Sequence, residues 1–442
     1  MRHESSDIQS TDAGRRALNA VVERYTASNP ASAAQIRIAA RHLAGGNTRV
    51  ALHYDPFPIV IDRAQTGQVY DLDGHSYIDL MNDLTAGFYG HSNPVILESL
   101  RSALERGLSY GGPNVYEQRL AQALCARFRS MELVRFCNSG TEANLLALQL
   151  CRAVTGRAKV LAFDGGYHGS FSSYLPGMTS LNVEGGNTLL VDFNDIDSAR
   201  RAAAAAGGDL AAIIVEPMMG SGGSILAERA FLTALGTLAD ETGALLIFDE
   251  VQTARLAAGG LQAVFGVVPH LTTLGKFCGG GLAFGAVGGR ADLIGRLDPT
   301  RADRIGHGGT FNNSILTMVA GFTGLSQIAT AERLHEINQR ADRLRVQLQE
   351  IAKAAAVPLQ TGGFGSIIAM HFQEADPKRS RDCTTSPVKR KLMHLELLLR
   401  GFYVPRRGAI NLSLATTDAD CEAYAAAFAD ILNTHGAILR QQ

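Results

Sequence analysis

The chain has no imbalance of charge: its 442 residues carry 41 Lys and Arg against 42 Asp and Glu, for a formal net charge of −1 at pH 7. That leaves no electrostatic case for nucleic acid or an anionic membrane surface as a partner. Long apolar runs are missing too, and none approaches the roughly 20 residues that a membrane-spanning helix needs. Residues 1–14 are polar, without the apolar segment of a secretory leader. The six cysteines (Cys125, Cys137, Cys151, Cys278, Cys383 and Cys421) show no paired C-x-x-C spacing. Neither a zinc site nor a disulfide framework is therefore indicated, and a reducing cytoplasm is the expected setting. Neither G-x-G-x-x-G nor a Walker lysine loop is found, which removes the ordinary support for nucleotide binding.

What the chain does have is apolar content. At 46% of 442 residues, it can bury one large core and a smaller one. Strand-like runs at 134–137, 159–163, 188–192, 211–215, 245–248 and 284–287 are mostly separated by helical stretches. That order predicts an α/β fold with a mostly parallel central sheet covered by helices on both faces. Before them, 58–62 and 69–80 read as antiparallel strands, with Asp73-Gly74 as the turn. After them come a long helical pattern at 331–355 and further elements at 366–372, 392–399 and 411–414, with a polar surface loop expected at 374–390. The expected organisation is a large domain over residues 76–330. Residues 1–75 and 331–442 then form a smaller α+β domain.

The chemistry is concentrated where strands end. Leu245-Leu246-Ile247-Phe248-Asp249-Glu250 is an apolar run that delivers a carboxylate to its end, and Thr273-Leu274-Gly275-Lys276 follows with a lone lysine. Pyridoxal phosphate needs such a pair. Its ring stabilises a carbanion only while the ring nitrogen is protonated, which a nearby carboxylate such as Asp249 secures. Its aldehyde needs an amine of depressed pKa, and Lys276 is the candidate. Taken singly, Asp249 reads as a loop cap and Lys276 as a solvated lysine; the surrounding motifs decide otherwise.

One of those motifs suits a phosphate. Val134-Arg135-Phe136-Cys137-Asn138 reads as a short strand, and Ser139-Gly140-Thr141-Glu142-Ala143-Asn144 opens an apolar helix. A helix N-terminus offers free backbone N–H groups and a favourable dipole to a dianion. Ser139 and Glu142 also fit a capping box, so a plain capped helix is the alternative. A second turn, Gly308-Gly309-Thr310-Phe311-Asn312-Asn313, offers a further phosphate contact. The turn Asp164-Gly165-Gly166-Tyr167-His168-Gly169 carries two rings, of which Tyr167 is placed to stack on a pyridine face.

These motifs resemble those of the class III pyridoxal-phosphate aminotransferases of fold type I, in the branch containing glutamate-1-semialdehyde aminomutase and the β-amino-acid aminotransferases. Asn138-Ser139-Gly140-Thr141-Glu142-Ala143, Gly166-Tyr167-His168-Gly169, Val215-Glu216-Pro217, Phe248-Asp249-Glu250-Val251 and Leu274-Gly275-Lys276 stand in the family's order, and the resemblance runs from about residue 28 to near the C-terminus. It implies that Lys276 holds the cofactor covalently, Asp249 faces the ring nitrogen, and Gly140 with Thr141 cups the phosphate. It further implies that Tyr167 stacks on the ring in a turn shared with His168, that Gln252 lies beside the ring hydroxyl, and that Glu216 stands behind them. Thr310 would reach the phosphate of a neighbouring subunit, which implies a homodimer with a shared active site.

Arg49 and Arg407 are the candidates for substrate. A guanidinium fork pairs bidentately with a carboxylate, and both positions resemble the carboxylate-binding arginines of β-phenylalanine-type aminotransferases. Leu84 departs from the tyrosine expected before Thr85-Ala86-Gly87, which leaves the shape of the side-chain pocket open. The resulting expectation is transamination of a β-amino acid, with an aromatic one favoured, against a keto acid such as 2-oxoglutarate or pyruvate. The alternative is a 2,1-aminomutase, which moves an amine within one molecule.

Overall fold

A computed structural model describes residues 12–175, 182 and 185–440, so most of the polar stretch at 1–14 lies outside the described residues. At its centre is a seven-stranded sheet made of β1 (Leu133–Cys137), β2 (Lys159–Phe163), β3 (Thr188–Val191), β4 (Leu210–Val215), β5 (Leu245–Asp249), β6 (Leu271–Gly275) and β7 (Gly285–Gly289). Their spatial order is β1-β7-β6-β5-β4-β2-β3. Only β7 runs against its neighbours, and the pairs from β6 through to β3 are parallel.

Alternation along the strands explains why the sheet is covered on both faces. Ile213 and Val215 of β4, with Leu246 and Phe248 of β5, pack into one core with helices Ile196–Ala205 and Arg229–Thr242. Ala212, Ile214, Leu245 and Ile247 point the other way, into a second core against helix Gly140–Thr155. Successive side chains of a strand face opposite sides, so a run that is apolar throughout requires apolar cover on both.

Smaller sheets flank this one. Gln68–Asp71 and Ser76–Asp79 form the hairpin expected around Asp73-Gly74, with Ile61–Gln65 on one edge and Phe402–Tyr403 on the other. Gln360–Phe364, Ile367–His371 and Ala409–Asn411 form another sheet. Helices Ala331–Ala354 and Asp418–Leu439 pack beside it in a core that extends to Phe136, Leu274 and Phe284 at the edge of the large sheet.

Three sequence expectations change. The strand β6 (Leu271–Gly275) was not anticipated; its two threonines interrupt the apolar signal, yet all five residues are buried. The run at 284–287 overlaps the antiparallel strand β7, which is shifted to 285–289. The surface loop expected at 374–390 buries Ser380 and Thr385 and gives way to helix Pro387–Leu399, because Ser386 caps it and Pro387 suits a first helical position. All six cysteines are free, and no described helix is long and apolar enough to cross a membrane.

Phe248 lies fully buried at the centre of this arrangement. Phe248→Ala should destabilise the protein by about 3–5 kcal/mol, measured as a clear fall in the thermal midpoint. An unchanged midpoint would contradict the two-faced core.

Candidate active site

Asp249 ends β5 and stands in register opposite Thr273 of β6, three residues before Lys276. Donors converge on its buried carboxylate. Asn144 Nδ2 donates to Oδ2 at 2.7 Å, and His168 Nδ1 lies 2.8 Å from the same oxygen. The Val251 backbone N–H donates to Oδ1 at 3.0 Å. Asn144 is itself fixed, because its Oδ1 accepts from Thr273 Oγ1 at 2.6 Å. The next residue, Glu250, turns inward and binds the Leu261 and Gln262 amides and the Thr253 hydroxyl, anchoring the segment behind the site.

Lys276 opens the short turn Lys276–Gly279 with φ at 51°, a left-handed conformation that is costly for a side chain with a Cβ and that persists where the surroundings hold it. Burial pushes its amine down to about 8, and the positive charge of Arg407 adds to this, against the opposing charges of Asp249, Glu216 and Asp83. Glu216 is pushed up to about 6 by burial; His168 and the amides of Gly220 and Tyr167 oppose this, while the charge of Asp249 adds to it. Its two oxygens accept from the backbone N–H groups of Tyr167, at 3.0 Å, and Gly220, at 2.9 Å. One carboxylate thus ties the Tyr167 turn to the start of a glycine-rich loop.

The two rings of that turn occupy different places. Tyr167 is 39% exposed, whereas His168 is 1% exposed and faces Asp249 from behind. At the helix start, Ser139 Oγ accepts from the Glu142 amide at 3.1 Å, but Glu142 reaches back to the Asn138 amide, one residue earlier than a capping box would have it. The first amides of that helix, from Gly140 and Thr141, have no intrahelical acceptor. A Cβ on Gly140 would come within 2.7 Å of the Val251 side chain, and one on Gly169 within 2.7 Å of Thr141. Glycine at these positions lets backbone approach close enough to form a cradle. Helix amides, a buried carboxylate and a partly buried amine of lowered pKa form a donor set that fits pyridoxal phosphate.

The remaining candidates are more scattered. Gln252 packs against Gly220, where any Cβ would strike its amide. Arg407 is partly buried, donates to Ser221 Oγ at 2.9 Å, and lies within electrostatic reach of Glu216, Tyr167 and Lys276. Burial lowers its pKa, against the charge of Glu216 and Tyr167. Arg49 is more exposed and pairs with Asp83. Thr310 is exposed, on a turn joined to this region where Asn138 Nδ2 donates to Asn312 Oδ1 at 2.9 Å. Among the described residues, no cluster of His, Cys, Asp and Glu could hold a metal.

A family described as aminotransferase class-III matches residues 50–432. The chain belongs to the class III aminotransferases. It is accordingly a transaminase that uses pyridoxal phosphate, with the fold type I architecture. It is 41% identical to a β-phenylalanine transaminase of Variovorax paradoxus over 96% of this chain and 98% of that protein. A crystal structure of a β-phenylalanine aminotransferase from Variovorax paradoxus superposes with a TM-score of 0.93, covering 96% of this chain and 98% of that one at 40% identity. A glutamate-1-semialdehyde 2,1-aminomutase of Bacillus cereus is 36% identical over 84% of this chain and 90% of its own length.

Several residues that organise the site escaped the sequence reading. Asn144 had a signal, being a polar residue on the inward face of an otherwise apolar helix. Thr273 and Ser221 had little, since a threonine in a strand and a serine in a glycine-rich turn are ordinary. Asp83 had none beyond its charge.

The lysine gives a pH test. An unfolded lysine titrates near 10.4, and Lys276 near 8 when folded, so the unfolded chain binds more protons between those values and stability rises with pH across that window. Below about 8 the full cost of burying the amine is present. Lys276→Met should therefore raise the thermal midpoint of the cofactor-free protein at pH 7, with the gain shrinking towards pH 10. A gain independent of pH would show that the amine is not buried as described.

Proposed function

We propose that this transaminase transfers the amine of a β-amino acid, with an aromatic one such as β-phenylalanine favoured, to a keto acid such as 2-oxoglutarate or pyruvate in two alternating half-reactions. The observation that carries this reading is Arg407, a partly buried guanidinium within electrostatic reach of Lys276 and Tyr167. A partly buried cation within electrostatic reach of the reacting amine gives a substrate carboxylate a fixed partner. The likeness to β-phenylalanine transaminase over nearly the whole chain supports the substrate class.

In this reading, Ser139, Gly140 and Thr141 hold the phosphate, and Tyr167 packs on the ring face. Asp249 holds the proton on the ring nitrogen, positioned by His168 and Asn144. Gln252 lies beside the ring hydroxyl, and Glu216 sets the Tyr167 turn. When bound, pyridoxal phosphate supplies the electron sink that stabilises a carbanion at the substrate carbon. Lys276, poised near neutral pH, takes and returns the proton at that carbon through Nζ. Arg407 and Arg49 bind carboxylates, so that one pocket can serve both substrates in turn. The same reading places Thr310 at the phosphate of a partner subunit in a homodimer, in keeping with the exposure of Thr310 and Phe311. It takes residues 76–330 as the large domain around the central sheet, and 1–75 with 331–442 as the small one. A cytoplasmic setting accords with the free cysteines.

Asp249→Asn keeps the size of the side chain and removes its charge, and should cost roughly 10²-fold or more in turnover with modest loss of cofactor. Near wild-type turnover would mean that another acid serves the ring nitrogen. Arg407→Ala should weaken carboxylated substrates by about 2–5 kcal/mol and affect 1-phenylethylamine, which has no carboxylate, much less. Equal losses would assign Arg407 to folding or cofactor placement. The 36% identity to an aminomutase keeps one rival in view: conversion of glutamate-1-semialdehyde without any keto acid would replace transamination by intramolecular transfer.

A further inference from the structure

Four consecutive residues leading into Ala86-Gly87 adopt left-handed backbone: Asn82, Asp83, Leu84 and Thr85, with φ of 43°, 47°, 51° and 82°. None is glycine, so the segment stores strain that persists only where its surroundings over-determine it. They do so at both ends. Asn82 is buried: its backbone N–H donates to Asp79 Oδ1 at 2.8 Å, and its amide Nδ2 donates to the carbonyls of Asp79 and Asn411. At the other end, Thr85 O accepts at 3.2 Å from Arg255, a fully buried arginine. This clamped segment presents Asp83 to Arg49, and the two side chains form an ion pair.

The pair lies within electrostatic reach of Lys276. The charge of Asp83 is felt at Lys276, and both Asp83 and Arg49 act on Tyr403. It is also only half-sheltered, with the Arg49 and Asp83 side chains 46% and 51% exposed. An ion pair in such surroundings is weak, because water solvates either partner once released. A rigid, clamped backbone thus aims a carboxylate at an arginine through a bond that is easily exchanged.

We propose that Asp83 is a built-in stand-in for the substrate carboxylate: it holds Arg49 in its binding orientation between turnovers and gives way when a substrate carboxylate takes its place. Asp83 is then a positioning and specificity-determining residue. It keeps one negative charge opposite Arg49 whether or not substrate is present, and every carboxylate that binds Arg49 must compete with it. An amine without a carboxylate does not displace Asp83 and meets no competition. The inference rests on the assignment of Arg49 as a carboxylate-binding residue made above.

The test compares the cofactor-loaded wild type with Asp83→Asn, Arg49→Ala and the double variant in separate half-reactions, using β-phenylalanine, 2-oxoglutarate and 1-phenylethylamine, with 3-phenylpropanoate as an inert competing carboxylate. An exposed pair contributes modestly, so Asp83→Asn should lower the KM of whichever carboxylated substrate uses Arg49, and the inhibition constant of 3-phenylpropanoate, by about two- to fivefold. The amine without a carboxylate should bind no more tightly than to wild type. In the Arg49→Ala background, Asp83→Asn should have no further effect on carboxylate affinity. A rise or no change in carboxylate KM on Asp83→Asn, while Arg49→Ala still weakens carboxylates, would overturn the role of Asp83 and leave that of Arg49 standing. If Arg49→Ala leaves carboxylate affinity untouched, the assignment of Arg49 falls and the role of Asp83 falls with it. Thermal midpoints of all variants within a few degrees of wild type exclude loss of fold as the cause, and Asp83→Glu, which keeps the charge, should restore wild-type KM values.

Discussion

The parallel hydrogen-bond register between β5 and β6 is the constraint on which the site depends. It sets Asp249 opposite Thr273, and Lys276 follows three residues later, in the turn just past the end of the adjoining strand. Thr273 adds a second link, since its hydroxyl holds Asn144, which in turn holds the Asp249 carboxylate. A slip of one residue would turn Asp249 to the opposite face of the sheet. The fully buried runs on both strands forbid such a slip, because each face has its own core to fill. Packing of the sheet therefore becomes precision in the placement of an acid and an amine.

Around that frame the charges balance one another. Lys276 is desolvated and stands near the cationic Arg407, both of which favour its neutral form, while Asp249, Glu216 and Asp83 favour the charged one. The result, near 8, leaves an amine able to change protonation at ordinary pH. Glu216 contributes twice, as a countercharge and as the brace of the Tyr167 turn. The two arginines differ in setting: Arg407 is tied to Ser221, whereas Arg49 is more exposed and already paired with a carboxylate. That asymmetry accords with the proposal that the two arginines serve different carboxylated substrates.

Much of this was legible in the sequence wherever a residue type was unusual for its position. A carboxylate ending a fully apolar strand, a lysine after a glycine, and a hydroxyl-bearing helix start each carry a local signal, and Asp249, Lys276 and Ser139 were read from those signals. The apolar strands were legible for the same reason, while β6 was not, because its threonines look polar in sequence and satisfy their hydroxyls only in the folded sheet. Long-range partners were the least visible. Nothing local marks Asn144 as the partner of Asp249, 105 residues on, or Asp83 as the partner of Arg49. His168 was legible as a ring beside Tyr167, yet its burial behind Asp249 follows from tertiary packing alone.

The central claim, that strand register delivers Lys276 and no other lysine to the cofactor, is tested most directly by borohydride reduction of the cofactor-loaded enzyme followed by peptide mapping. The account predicts that the pyridoxyl label is recovered on Lys276. Recovery on Lys159, whose amine reaches the Ala206 carbonyl at 3.2 Å, or on any other lysine would contradict it.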